Sequence, residues 1–125
     1  MNTEGTVLRH FSRQGQFSNN WLNKTGERIT SAYIVFTRTK TIDQKELETY
    51  WAGIRATIKG HPIELLVAYG KHEVLEGDPM EGIVIAKFPD VKAAKDWYYS
   101  EAYQSVAQHR KQGAIYNGLI VEGVS

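Results

Sequence analysis

The run Ala32-Tyr33-Ile34-Val35-Phe36-Thr37-Arg38 carries β-branched or aromatic side chains at both of its alternating positions. Side chains on a strand point to opposite faces with a period of two, so a run apolar at both parities predicts a strand covered on both sides. Each face must therefore find a cover. One follows directly in the sequence: Leu47, Tyr50, Trp51, Ile54 and Ile58 recur at helical spacing and make one apolar stripe. Asp43 or Thr41 stands where a helix needs its N-cap, with Gln44 or Glu46 beyond it, and Gly60 and Pro62 close the segment.

The remaining elements follow in a recognisable order. Ile63 to Ala68 reads as a second strand, with Gly70 as a bulge or bend inside a longer strand predicted to continue through Val74 and Leu75. Glu76-Gly77-Asp78-Pro79 marks a turn, and Gly82 to Phe88 is the next strand. Asp90 caps a helix whose apolar face is Val91, Ala94, Trp97 and Tyr98. Ser100 opens a further helical run, Glu101 to Gln112, with Tyr103, Val106 and Ala107 inward and Gly113 as its stop. His109, Arg110 and Lys111 fall in its last turn, where positive charge suits the helix dipole. Ala114 to Glu122 is a final strand.

Strand, helix, strand, strand, helix, strand is the split βαβ order of a ferredoxin-like α+β domain, assigned to residues 32–125. Its helices cover one sheet face. A second copy of the chain is the predicted cover of the other, which makes the expected assembly a homodimer. The competitor is the segment 1–31, rich in Gln, Asn and Ser around Phe17 and Trp21, read as a partly flexible N-terminal extension.

Several function classes lack support. A chain of 125 residues allows one modest core. A formal charge of +1, with no basic run beyond His109-Arg110-Lys111, gives no reason to expect nucleic acid. There is no cysteine, and the four histidines His10, His61, His72 and His109 form no HxH or HxxxH pair, so no metal is predicted. Glycine-rich phosphate loops and GxSxG elbows are missing. The start of the chain lacks the apolar stretch of a signal peptide, and no segment approaches the ~20 apolar residues of a membrane helix. The expectation is a cytoplasmic protein with no membrane partner.

From about Ala32 to Gly123 the chain resembles the family called domain of unknown function 1330, within the dimeric α+β barrel superfamily. The resemblance is carried by Tyr69-Gly70, Glu73-Val74-Leu75-Glu76-Gly77, Phe88-Pro89, Trp97-Tyr98 with Ser100, Tyr103 and Gln104, and Arg110. The spacing from Phe88 through Trp97-Tyr98 to Arg110 is its most specific part. It implies a ferredoxin-like protomer whose sheet packs face to face with a partner's, enclosing a cavity. The superfamily includes cofactor-independent monooxygenases, isomerases, cyclases and haem-degrading enzymes, so the resemblance implies a dimer and a pocket but no reaction.

Candidate chemistry centres on Tyr69-Gly70-Lys71-His72-Glu73, which joins an imidazole, a carboxylate and a phenol around a glycine. His72 or Glu73 is the candidate general base; the competing reading is an edge strand with solvated charges. Trp97, Tyr98 and Tyr103 fit core packing by spacing, while a tyrosine hydroxyl facing a cavity, Tyr103 foremost, would serve as proton donor or oxyanion partner. Arg110 would hold a ligand's acidic group, or else form an internal ion pair with Glu73 or Glu76. With Tyr33, Phe36 and Tyr69 these residues outline a mostly apolar pocket for a small organic molecule. Isomerisation or cyclisation without a tightly held cofactor is the predicted chemistry, and a non-catalytic binding or assembly module is the alternative.

Overall fold

A computed structural model of the protein describes residues 30–125, so nearly all of the N-terminal extension, including His10, Phe17 and Trp21, lies outside the described residues. The elements are β1 (Ala32–Thr41), α1 (Gln44–Ile58), β2 (Glu64–Ala68), β3 (Gly82–Phe88), α2 (Val91–Tyr98), α3 (Glu101–Gly113) and β4 (Ala114–Glu122). The strands form one antiparallel sheet in the order β2-β3-β1-β4, which is the ferredoxin-like arrangement.

Local signals start each helix as the sequence predicts. Asp43 Oδ1 accepts from the Lys45 amide at 3.1 Å, Asp90 Oδ1 from Ala93 at 2.7 Å, and Ser100 Oγ from Tyr103 at 3.2 Å. After α1, Gly60 adopts a φ of 84°, a conformation that ends the helix at little steric cost. Glu46 does not return to its cap. Its carboxylate takes His109 Nδ1 at 2.7 Å instead and ties α1 to α3. Gly113 is the last residue of α3 rather than a residue beyond it, and its carbonyl accepts from the Ile42 and Asp43 amides at 2.8 and 2.9 Å. The end of α3 is thereby fastened to the entry of α1.

The core lies between the helices and the face of the sheet bearing Ala32, Ile34, Phe36, Ala86 and Phe88. Tyr50 of α1, Trp97 of α2, and Tyr103 and Ala107 of α3 pack on it. Burial of each large apolar side chain contributes about 1.5–3 kcal/mol. The opposite face carries Tyr33, Val35 and Thr37 in register with Ile85 and Ile83 on β3 and with Val121 and Leu119 on β4. Leu119 is 54% exposed and Val121 47%, and no helix among the described residues covers this apolar face. Among the described residues, no helix is long and apolar enough to cross a membrane.

One predicted element is corrected. β2 ends at Ala68 and does not run on through Val74 and Leu75. Tyr69 has a φ of 59°, which turns the chain away after its amide makes a last bond to the Ile83 carbonyl at 2.9 Å. Residues 70–79 then run as an exposed loop, with Leu75 87% accessible. Gly70 is no bulge inside a strand; the break occurs one residue earlier, at a tyrosine.

Candidate functional site: an apolar cavity between two arginine clusters

Between the sheet and α1 lies a cavity of about 210 Å³. Ile34, Phe36, Val84 and Ala86 form its sheet side and Tyr50, Trp51, Ile54 and Ile58 its helix side; Trp97, Ile63 and Leu65 complete it. The wall is apolar almost throughout. Engineered apolar cavities of about 150 Å³ stay dry and admit a benzene-sized molecule, so this one is large enough for a single ring with a substituent. Trp51 adds a specific feature. Its indole N–H is buried without an acceptor and closed off by its neighbours, so a ligand oxygen reaches it only if the ring shifts.

Polar clusters flank the cavity. In the inner one, Tyr50 and Tyr103 join their hydroxyls at 2.8 Å, and Arg110 Nε donates to Tyr103 Oη at 3.3 Å. The Arg110 guanidinium lies over the Phe36 ring, 4.6 Å from its centroid, and 5.2 Å from that of Tyr116. Gly118 stands directly opposite Phe36 in the sheet, and a Cβ there would fall 2.6 Å from the Phe36 ring, so the glycine makes room for the ring that carries Arg110. In the outer cluster Arg38 lies over Tyr69 at 4.9 Å and Trp51 at 5.7 Å, while Tyr69 and Tyr116 share a hydroxyl–hydroxyl bond. Arg38 Nε is 3.2 Å from Glu81 Oε1, and Thr41 donates to the same carboxylate oxygen at 2.6 Å.

Burial raises the ionisation of Tyr50, Tyr103 and Tyr116 above the ordinary phenol value, and their hydroxyl neighbours reinforce this for Tyr50 and Tyr116. At neutral pH all three are uncharged hydrogen-bond donors rather than bases. No Asp, Glu or His belongs to the cavity wall. Among the described residues, no three His, Asp or Glu side chains gather where they could hold a metal.

The predicted site residues separate into groups. Phe36, Tyr69, Trp97 and Arg110 line the cavity; Trp97 is also fixed in the core by its Nε1–H bond to Thr57 Oγ1 at 3.1 Å. Tyr103 is fully buried behind the wall and acts on it through Tyr50 and Arg110. Tyr98 faces a separate concavity under β4. Tyr33 is not a lining residue: its parity on β1 turns it to the opposite sheet face. His72 and Glu73 are likewise outside the cavity, on the exposed loop that follows the early end of β2, where His72 Nε2 bonds the Met80 carbonyl at 2.9 Å. The expected internal ion pair of Arg110 with Glu73 or Glu76 is not formed; aromatic rings and a phenol take the place of the carboxylate. Arg38, Trp51, Tyr50 and Tyr116 were not singled out for a site by the sequence. Arg38 had a usable signal, since it shares the core-facing parity of Ala32, Ile34 and Phe36.

The sequence profile of the domain of unknown function 1330 matches residues 31–124. The chain belongs to this family. Among solved structures, the fold is similar to that of a protein of unknown function from Rhodopseudomonas palustris, with a TM-score of 0.63 and 12% identity over 78% of this chain and 85% of that one. A dimeric ferredoxin-like protein of unknown function from Bacteroides fragilis matches with a TM-score of 0.54 and 10% identity, over 74% and 96% of the two chains. The cofactor-independent oxygenase SnoaB from Streptomyces nogalater matches with 0.53 and 15%, over 75% and 93%. At these identities the likeness is one of fold. No curated protein matches the sequence of this member of the family.

Proposed function

We propose that this protein is a homodimer that binds a small, largely apolar organic molecule carrying one oxygen function, held in the cavity between the sheet and α1. The observation that carries the reading is the ring-sized, almost wholly apolar cavity, with Trp51, whose indole N–H is buried without an acceptor, among its lining residues. Apolar contact supplies most of the affinity, and an oxygen accepting from Trp51, once the indole shifts to present its N–H, fixes the orientation. The absence of a carboxylate or imidazole from the wall argues for binding over proton abstraction by a residue of the cavity. A substrate that ionises or activates oxygen by itself would still find a dry site without a bound cofactor. Similarity in fold to a cofactor-independent oxygenase is compatible with such chemistry, and the reading does not depend on it.

Two experiments test the reading. Acetophenone and ethylbenzene have similar shapes, and only the ketone can accept from Trp51. Acetophenone should raise the melting temperature more than ethylbenzene, and Ala86→Leu, which fills the cavity from the sheet side, should remove both effects. If neither compound shifts the melting temperature of the unmodified protein, the cavity is not a binding site. The dimer is supported by the exposed apolar residues of the second sheet face and by similar structures described as dimeric. Leu119→Glu places a charge on that face, on the edge strand β4, and should yield monomers in sedimentation velocity. A dimer that persists in this variant would place the interface elsewhere.

A further inference from the structure

Under the β4 edge, across the partition formed by Phe36 and Tyr116, lies a second concavity of about 450 Å³. It is open to solvent on one side and, unlike the apolar cavity, has a mixed polar lining. Tyr98 of α2 and Arg110 and Lys111 of α3 face it, and no Asp or Glu belongs to its wall. Arg110 is only 6% exposed, and its single hydrogen bond to a described residue uses Nε. Its two terminal nitrogens have no such partner, yet neither is sealed away from solvent space. Arg110 lines both cavities, and of the two only the second has a polar share in its wall, which makes it the side on which those nitrogens would meet a ligand.

A buried guanidinium usually has its carboxylate, because an uncompensated charge away from water is costly. Here the guanidinium lies against the Phe36 and Tyr116 rings, with no carboxylate partner among the described residues. We propose that this concavity is a binding site for a small aromatic carboxylate. The two terminal nitrogens present a planar fork that matches a carboxylate in bidentate fashion. Lys111, in the next position, adds a point charge at the mouth. Tyr98 and Tyr116 offer ring faces to the apolar body of the acid. A phosphate monoester would use the same charges, but one fork and one lysine beside the Tyr98 and Tyr116 rings favour a monoanion with an aromatic body. The site is distinct from the apolar cavity and does not rest on the reading given for it.

The test is calorimetric titration of the full chain at pH 7 with benzoate, benzamide and inorganic phosphate. Benzoate should bind, and benzamide, its uncharged analogue, should bind at least about tenfold more weakly. Lys111→Gln alters an exposed side chain and should weaken benzoate about fivefold. Arg110→Gln should weaken it by about thirtyfold or more, with circular dichroism to confirm the fold. Ala86→Leu should leave benzoate binding unchanged, which separates this site from the cavity on the other side of Phe36. Equal binding of benzoate and benzamide, indifference to Lys111→Gln, loss of binding in Ala86→Leu, or tighter binding of phosphate than of benzoate would each overturn the proposal. A concavity that binds none of the three holds only water, and the proposal fails there too.

Discussion

Arg38 and Arg110 lie on the same helix-covered side of the sheet, and each guanidinium rests against two aromatic rings. Their electrostatic settings differ. Arg38 has the Glu81 carboxylate at 3.2 Å, and that carboxylate is in turn bonded by Thr41. Arg110, more deeply placed, has among the described residues only a phenol oxygen and ring faces. The difference teaches how to divide structural from available charge. A compensated arginine closes one end of the fold, fixing β1 to the start of β3, while an uncompensated one keeps capacity for an anion from outside.

Tyr103→Phe should break the comparison on the inner side with the larger effect. It leaves the Tyr50 hydroxyl and Arg110 Nε without their common partner in a buried place. The expected loss is about 1–3 kcal/mol in urea unfolding at neutral pH, with the aromatic packing kept. A loss near zero would show that solvent already reaches the inner cluster.

On the outer side, Glu81→Gln should have the smaller effect, because the carboxylate is exposed and screened. Its signature is in pH. The Thr41 hydrogen bond, with help from Arg38, holds the Glu81 carboxyl below its ordinary value in the folded protein. A carboxyl depressed by folding contributes stability above its unfolded pKa, and the contribution is lost as pH falls through the lower folded value. Unfolding curves of Glu81→Gln should therefore approach those of the unmodified protein as pH drops through and below the carboxylate range. A gap that stays constant from neutral to acid pH would mean that Glu81 acts through packing.

Periodicity carried most of the fold. The stripe Leu47 to Ile58 and the caps Asp43, Asp90 and Ser100 are local signals that need no tertiary context, and the structure follows them. The two-sided apolar pattern of β1 called for a cover on each face, and within the described residues the helices supply one of them. The end of β2 was illegible for a physical reason. Composition favours glycine as the point of departure, yet the left-handed turn falls on Tyr69, whose ring is accommodated by distant Gly82. Once that strand end moved, His72 and Glu73 went with the loop. Phe36 and Trp97 were legible as inward-facing because their parity or helical phase turns them toward the sheet–helix interior, whereas Arg110 read by position only as a helix-end charge and came in through the family resemblance. The missing carboxylate of Arg110 was not legible, since a sequence records which charges exist and not which ones meet.

The contact of Phe36 with Gly118 has a consequence for how this sequence can drift. The two residues face each other across β1 and β4, and the space of one is the absence of a side chain at the other. Gly82 and the Tyr69 ring repeat the device in the outer cluster, where an added Cβ would fall 2.5 Å from the ring. Neither member of such a couple is free to change first: a side chain on the glycine displaces the ring, and a smaller ring position leaves a void. In descendants of this chain the couples should be inherited or exchanged as units, and a lineage that abandons Phe36 would find position 118 released from glycine at the same step.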